Sequence, residues 1–442
     1  MKGSTELKET ALRAMDGALA RGVKGVRAVA YRGRNVSVTY RQGRPDKIQE
    51  SSRRSLTLHL YIDGKYTACE SSDLRPEALE GFLDSAVAMA RAMTPDPYRE
   101  MPDPSLYEGR EDRDLGLFDP AVAAVSPRKR DRQAAAMERA ALDAAGADGI
   151  SAEATWEDEE SEAWQIHSNG FEGALRGSQF WMFSQVSLRD EGDKRPRGWE
   201  TAGSRRLDGL PPPPSVGEGS AERARHRLGA RKAETRRAPM IVENRSVGRL
   251  LGHVLGAASG RAVQQQRSFL ADRQGQRIGS DLFDLVDDPL LLGGFGSRPF
   301  DGEGISARRM PVVESGILRN FFIDTYYGKK LDMAPTTGSS SNLILAPGKQ
   351  GLDQLVAGVG DGVLVRGFIG GNTNPVTGDF SLGIHGNLIE KGRLGRAVAE
   401  MNISGNHIDL WQHLTAVGSD VWMHSKLRSP SLVFADVQFS GS

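Results

Sequence analysis

The sequence predicts an α+β protein. An N-terminal antiparallel sheet with helices, built as an internal repeat, fills residues 1–237, and a β-rich, barrel-like domain fills 238–442. Three observations lead there. The order helix, alternating strands, helix occurs twice, about 125 residues apart. From Pro239 onward the composition turns glycine-rich, with short apolar strands between turn signals. The chain holds 442 residues, enough for two large domains, and 52 of them are glycine without a collagen period, which favours turns.

The elements follow from local pattern. Residues 5–22 place Leu7, Ala11, Leu12, Met15 and Leu19 on one face, the period of an amphipathic helix. Alternation over 25–43 predicts a hairpin turning near Arg32–Asn35, and alternation over 55–72 a second one turning at Asp63-Gly64. Arg75–Met93 reads as a helix with Pro76 in its first turn. The second copy has a helix over Pro127–Ala145, a hairpin turning at the acidic run Glu157–Glu160, further strand over 170–192, and a helix over Ala221–Arg237 after a stiff, extended Pro211–Pro214. In the second half, strands are expected around Met240–Asn244, Leu318–Asp324, Ser341–Gly348, Gly362–Phe368 and Ser431–Gly441. Short helices are expected over Val247–Leu255, Leu352–Val359 and Ile408–Ala416.

Composition removes several function classes. Lys+Arg and Asp+Glu are 57 each, so the net charge is zero, unlike a chain that coats nucleic acid. A single cysteine, Cys69, excludes an internal disulfide framework and a cysteine-rich zinc or iron–sulfur site. The polar N-terminus and the absence of a long apolar run predict a cytoplasmic protein without a membrane span.

Chemistry-bearing motifs are few. There is no G-x-x-x-x-G-K-[ST] loop and no His-Glu-x-x-His. Ser381 lies in a stretch that resembles part of a nucleophile elbow, but Asp379 stands where the first glycine belongs, so a turn serine is the simpler reading. His253 sits on an apolar helical pattern, where a satisfied core or interface histidine is the simpler reading. The run Glu157–Glu160 reads as a solvated hairpin tip, and the basic run within Ala221–Arg237 as a solvated helix face with Glu222 and Glu234 as partners. No self-sufficient catalytic constellation emerges from the residues alone.

A set of ordered segments changes the reading. These include Val286-Asp287-Asp288-Pro289, Gly296–Gly304, Pro335-Thr336-Thr337-Gly338, Asn374–Ser381 and Val417-Gly418-Ser419-Asp420. Together with Tyr40–Glu50 and Leu60–Lys65 they resemble the TldD/PmbA family, once called modulators of DNA gyrase, over most of the chain. In that family TldD-type subunits carry His-Glu-x-x-x-His on a helix, with a distant cysteine completing a zinc site. Aligned on Gly248-Arg249-Leu250-Leu251, this chain has Gly252 and Ala257 at the histidine positions and His253 at the glutamate position. No cysteine follows Ser425.

The resemblance therefore implies a TldE/PmbA-type subunit with no catalytic residue, metal ligand or cofactor of its own. It implies a heterodimer with a TldD-type zinc metalloprotease subunit, which holds the zinc and acts on unfolded peptides. The glycine-rich segment around Gly370, Gly371, Asn372, Asn374, Thr377, Asp379 and Ser381 is the candidate wall of the peptide cleft. Two other readings stay open. One is a self-sufficient metallohydrolase using His253 with His385, His407, His413 or His424. The other is a non-enzymatic protein that binds gyrase or nucleic acid through the basic segment, against the neutral overall charge.

Overall fold

The computed structural model describes residues 2–441. The first half forms one six-stranded antiparallel sheet. Its strands are β1 (Gly25–Arg41), β2 (Arg44–Ile62), β3 (Lys65–Ser71), β4 (Gly149–His167), β5 (Glu172–Leu188) and β6 (Arg197–Ser204), in the order β3-β2-β1-β4-β5-β6. The helices are α1 (Lys2–Ala20), α2 (Pro76–Ala92), α3 (Pro127–Ala145) and α4 (Pro213–Arg225). The strand order is a palindrome: each copy contributes helix, three strands, helix, and the copies meet where β1 pairs antiparallel with β4. The internal repeat is therefore a pseudo-symmetric sheet, with apolar clusters under α1/α2 and under α3/α4.

Two predicted turns are absent. β1 runs through Arg32–Asn35 and β4 runs through Glu157–Glu160 without a break. The polar residues there are cross-strand partners: Arg32 donates to Glu162 at 2.5 Å, Arg34 to Glu50 at 2.8 Å and Asn35 to Glu157 at 2.6 Å. The actual reversal after β1 is Gln42-Gly43, both at positive φ, which a two-residue hairpin requires. Nor is the acidic run a solvated tip. Asp158 is 1% exposed and accepts two bonds, at 2.6 and 2.7 Å, from the Arg130 guanidinium, itself 5% exposed. Trp156 Nε1 adds a third at 3.0 Å. This pair ties α3 to the sheet.

The fourth helix is also displaced from expectation. Pro213 and Pro214 occupy its first turn, where a missing N–H costs nothing, so the proline run starts the helix instead of preceding it as extended chain. The helix ends at Arg225, and Gly229 at φ +63 carries the chain toward the next strand. The basic run is thus split. Arg223 is half-buried against Glu200 and Glu243, while Arg237 lies on a strand against Asp436. The run Ala221–Arg237 is therefore not one continuous helix.

The second half is built on a closed barrel. Its strands are β7 (Arg236–Val242), β12 (Gly362–Thr373), β13 (Asp379–Glu390), β14 (Arg393–Asn406) and β17 (Leu432–Ser440). β7 pairs parallel with β12, the hairpins β12–β13 and β13–β14 follow, and β14 closes antiparallel on β17, which returns to β7. A small second sheet holds β8 (Leu285–Asp287), β9 (Met310–Glu314), β10 (Ile317–Leu318), β11 (Leu343–Leu345) and β16 (Leu427–Arg428), and β15 (Leu414–Val417) extends the barrel beside β17. The helices are α5 (Val247–Ala257), α6 (Gly260–Gln264), α7 (Thr325–Leu331), α8 (Leu352–Val359) and α9 (His407–Gln412). The last is shorter than predicted, because Leu414–Val417 leaves the helix to pair with β17. Most of Leu318–Asp324 is irregular and not strand; Phe322 is held there by a bridge to Ser259. Among the described residues no helix is long and apolar enough to cross a membrane.

The Arg130–Asp158 pair yields a direct test. Asp158→Ala leaves a buried guanidinium uncompensated and should lower the unfolding free energy by about 3–5 kcal/mol. Chemical denaturation measures this, and a loss below about 1 kcal/mol would place the pair in solvent.

Candidate functional site

Helix α5 carries the positions that the resemblance singled out. Val247, Leu250, Leu251, Val254 and Ala257 face the barrel core, which leaves Gly248, Arg249, Gly252, His253 and Gly256 on the other side. A cavity of about 330 Å³ opens along this second side. Gly252, His253 and Gly256 form one wall, Phe269 another, and Thr373 and Pro375 from the β12–β13 hairpin a third. A Cβ built on Gly252 or Gly256 meets no atom within 4 Å, so the room for larger side chains is open.

The structure brings His253 and His407 together. Their ring centroids are 5.1 Å apart; Phe269 stacks on His407 at 5.6 Å, and Phe380 lies tilted against it at 4.9 Å. Neither ring nitrogen of His407 has a hydrogen-bond partner, nor has His253 Nε2. Burial, reinforced by His253, holds the His407 pKa down to about 3, and burial with the nearby Arg249 charge lowers that of His253. Both rings are therefore neutral near pH 7.

The other histidines lie elsewhere. His385, on β13, lies near Arg227, Arg223 and Arg366, His413 Nδ1 bonds the Asp409 carbonyl at 2.7 Å, and His424 Nδ1 bonds the Gly203 carbonyl at 2.8 Å. Among the described residues no three His, Cys, Asp or Glu side chains come close enough to hold a metal together. The residues at the motif positions do not fit zinc, since Gly252 and Ala257 offer no donor atom and His253 faces an aromatic cluster.

The predicted cleft segment forms the end of the β12–β13 hairpin. Gly370 and Gly371 make a bulge at positive φ, and a Cβ on Gly371 would stand 2.3 Å from the Ser381 carbonyl oxygen. Asn372 pairs with Ser381, and both are exposed. Asn374, Thr377 and Asp379 close the turn on one another. The Asn374 side chain accepts from Val376 N at 2.9 Å, Thr377 Oγ1 donates to Asp379 at 2.7 Å, and Asn406 donates to Asp379 at 2.9 Å. The last two bonds hold the Asp379 carboxyl below the usual carboxylate range. His407 N donates to Gly378 O, so this turn also seats His407.

The remaining shared segments knit loops together. Asp287 accepts from Ser341 N at 2.6 Å, Arg298 donates to Thr337 Oγ1 at 3.1 Å, and Thr337 donates to Asp301 at 3.2 Å. Glu303 accepts from Thr325 N and Oγ1, both at 2.8 Å. That His253 meets His407 rather than His385, His413 or His424 was not legible in the chain. His407 lies far from His253 in sequence, and only the barrel joins them.

Comparison with known proteins bears on this geometry. A model of the PmbA/TldA metallopeptidase C-terminal domain matches residues 235–441, and one of domain 1 of the same metallopeptidases matches 26–90. A solved structure from Bacteroides thetaiotaomicron, described as a candidate modulator of DNA gyrase, superposes with TM-score 0.96 at 37% identity, over 99% of each chain. The fold is also that of TldE from Thermococcus kodakarensis, with TM-score 0.87 at 19% identity over 98% of this chain and 100% of that one. The metalloprotease PmbA of Escherichia coli O157:H7 is 30% identical over 92% of this chain and 90% of its own length. The chain belongs to the PmbA/TldD family.

Two measurements test the site. Gly252→Ala fills open space at an exposed helical position and should stabilise the protein by about 0.5–1 kcal/mol in a urea titration. For His407, the unfolded ring takes its proton near pH 6.5 and the folded ring near about 3. Between those values the unfolded state binds more protons, so stability is full above 6.5 and falls as pH drops toward 3. His407→Phe should therefore show a smaller loss of Tm between pH 7 and pH 4 than the parent in parallel thermal melts.

Proposed function

We propose that this chain is the non-catalytic, TldE/PmbA-like subunit of a TldD/TldE-type zinc metalloprotease. The observation that carries this reading is the α5 cavity. It has the form of a site, with a hairpin wall and room above Gly252 and Gly256, yet its helix presents Gly252 and Ala257 where metal donors are required. In this reading the partner subunit holds the zinc and polarises its bound water. This chain completes the enclosure for an unfolded peptide, in the cytoplasm, with the Gly367–Ser381 segment as one wall. Its own residues contact and orient backbone; none transfers a proton. Of the histidines in the metallohydrolase alternative, among the described residues only His253 and His407 are in ring contact, and His407 is packed against the phenyl rings of Phe269 and Phe380.

The test is co-purification with a family member that carries His-Glu-x-x-x-His. Size-exclusion chromatography should give one heterodimer containing one zinc, and hydrolysis of unfolded peptides should appear only in the pair. Firmly bound zinc together with peptidase activity in the isolated chain would overturn the proposal.

A further inference from the structure

A second cavity lies one helical turn from the first and has a different chemistry. It encloses about 330 Å³ between the two halves of the molecule, where β6 and the end of α4 meet the start of α5 and β12. Six arginines line it: Arg197, Arg223, Arg227, Arg245, Arg249 and Arg366. Two carboxylates oppose them. Glu200 pairs with Arg223 and Arg245 at 3.3 and 2.7 Å, and Glu243 pairs with Arg223 and Arg366 at 3.0 and 3.1 Å.

The other three arginines have no ion pair among the described residues. Arg227 donates to the Arg197 carbonyl at 3.0 Å and Arg249 to the Gly371 carbonyl at 3.4 Å, so each spends part of its guanidinium on backbone. His385, beside them, has a buried Nδ1 without a partner. Burial, with Arg227, Arg223 and Arg366 adding to it, keeps this ring neutral, its pKa down to about 4. Burial likewise lowers the pKa of Arg227. The pocket is thus a partly dry concentration of positive charge that neutral chain composition does not hint at, and an anion entering it gains from every guanidinium left unpaired.

The pocket is too roomy for a simple ion alone. The rings of Trp199 and Phe368 line it, and Trp199 is 47% exposed. Guanidinium forks beside aromatic surface suit a carboxylate attached to an organic chain. Location says which chain. Arg249 and His253 are four residues apart on α5, a rise of about 6 Å, which two extended peptide residues span. Arg249 also bonds Gly371 at the bulge of the hairpin wall, so the arginine pocket and the α5 cavity are ends of one path.

We propose that the arginine pocket binds the C-terminal carboxylate of a peptide whose preceding residues lie along α5 toward His253. Every linear peptide with a free C-terminus carries this group, so the anchor is independent of sequence. The inference rests on the peptide-handling reading above and adds the recognition element to it.

The experiment uses the full chain and three fluorescein-labelled eight-residue Gly/Ser peptides, followed by anisotropy at low salt. One ends in a free carboxylate, one is amidated, and one is amidated with a single internal Glu. The free acid should bind about tenfold or more tightly than the amide, and Arg197→Ala or Arg227→Ala should each remove about tenfold, the value of a charge-assisted hydrogen bond. Both arginines lack ion pairs, so their removal leaves the Glu200–Glu243 network intact, and an unchanged Tm checks this.

Equal binding of acid and amide would overturn the proposal. So would binding of the internal-Glu amide as tight as that of the acid, or displacement by micromolar inorganic phosphate. If the zinc-bearing pair cleaves the amidated peptide as fast as the free acid, the anchor fails and the subunit reading stands. If no pair forms while the isolated chain still prefers the acid tenfold, the subunit reading fails and the carboxylate pocket stands.

Discussion

The closure of β14 on β17 is the constraint on which the rest of the second half depends. Asn402, Ile403 and Ser404 pair with Ser440, Phe439 and Gln438, and that short ladder turns an open five-strand sheet into a barrel. Closure removes the edges and fixes the barrel interior, where Met240, Val242, Val365, Leu382, Ile384 and Phe434 are fully buried. It also decides what lies outside. α5 follows β7, α9 follows β14, and the β12–β13 hairpin projects between them, so the three meet in one place. The contact of His253 with His407, and of both with the hairpin tip, follows from barrel geometry and from no local signal.

Helix α5 shows how one scaffold supports two kinds of site. Its buried stripe of Val, Leu and Ala is what any barrel-packed helix needs. Its other side is nearly blank, with glycine at 248, 252 and 256. Three glycines in an eleven-residue helix cost stability, and the core contacts of Leu250, Leu251 and Val254 offset that cost. The blank side keeps a cavity open beside α5. Gly252 and Ala257 carry no donor atom, and the cavity stands beside them. At the start of the same helix the charge is strongly positive, because β6, α4 and β12 each bring arginine to that end.

Local pattern served well where a single element is concerned. The period of Leu79, Leu83 and Val87 marks α2, the Asp63-Gly64 turn stands where positive φ is required, and Leu352–Val359 is helical as read. It failed where polar residues stand inside long strands. Arg32–Asn35 and Glu157–Glu160 have turn-like composition, but each meets its opposite charge or amide on the neighbouring strand. Asp158 could be placed in the interior only by knowing that Arg130 on α3 lies above it. The basic segment failed for the same reason, since Arg223 and Arg237 find carboxylates on different elements.

By itself, then, the amino-acid order determined the repeat and the change to a glycine-rich β segment, because these are properties of composition and spacing along one chain; that Gly252 and Ala257 stand at donor positions is what the family resemblance implied. The ordered motifs were legible too, and they carried the family. Tertiary structure alone decided that the barrel closes, that His253 meets His407, that Asp158 is buried, and that six arginines from distant segments face one cavity. Those facts depend on which surfaces touch, and contact between residues on separate segments of the chain leaves no periodic trace in sequence.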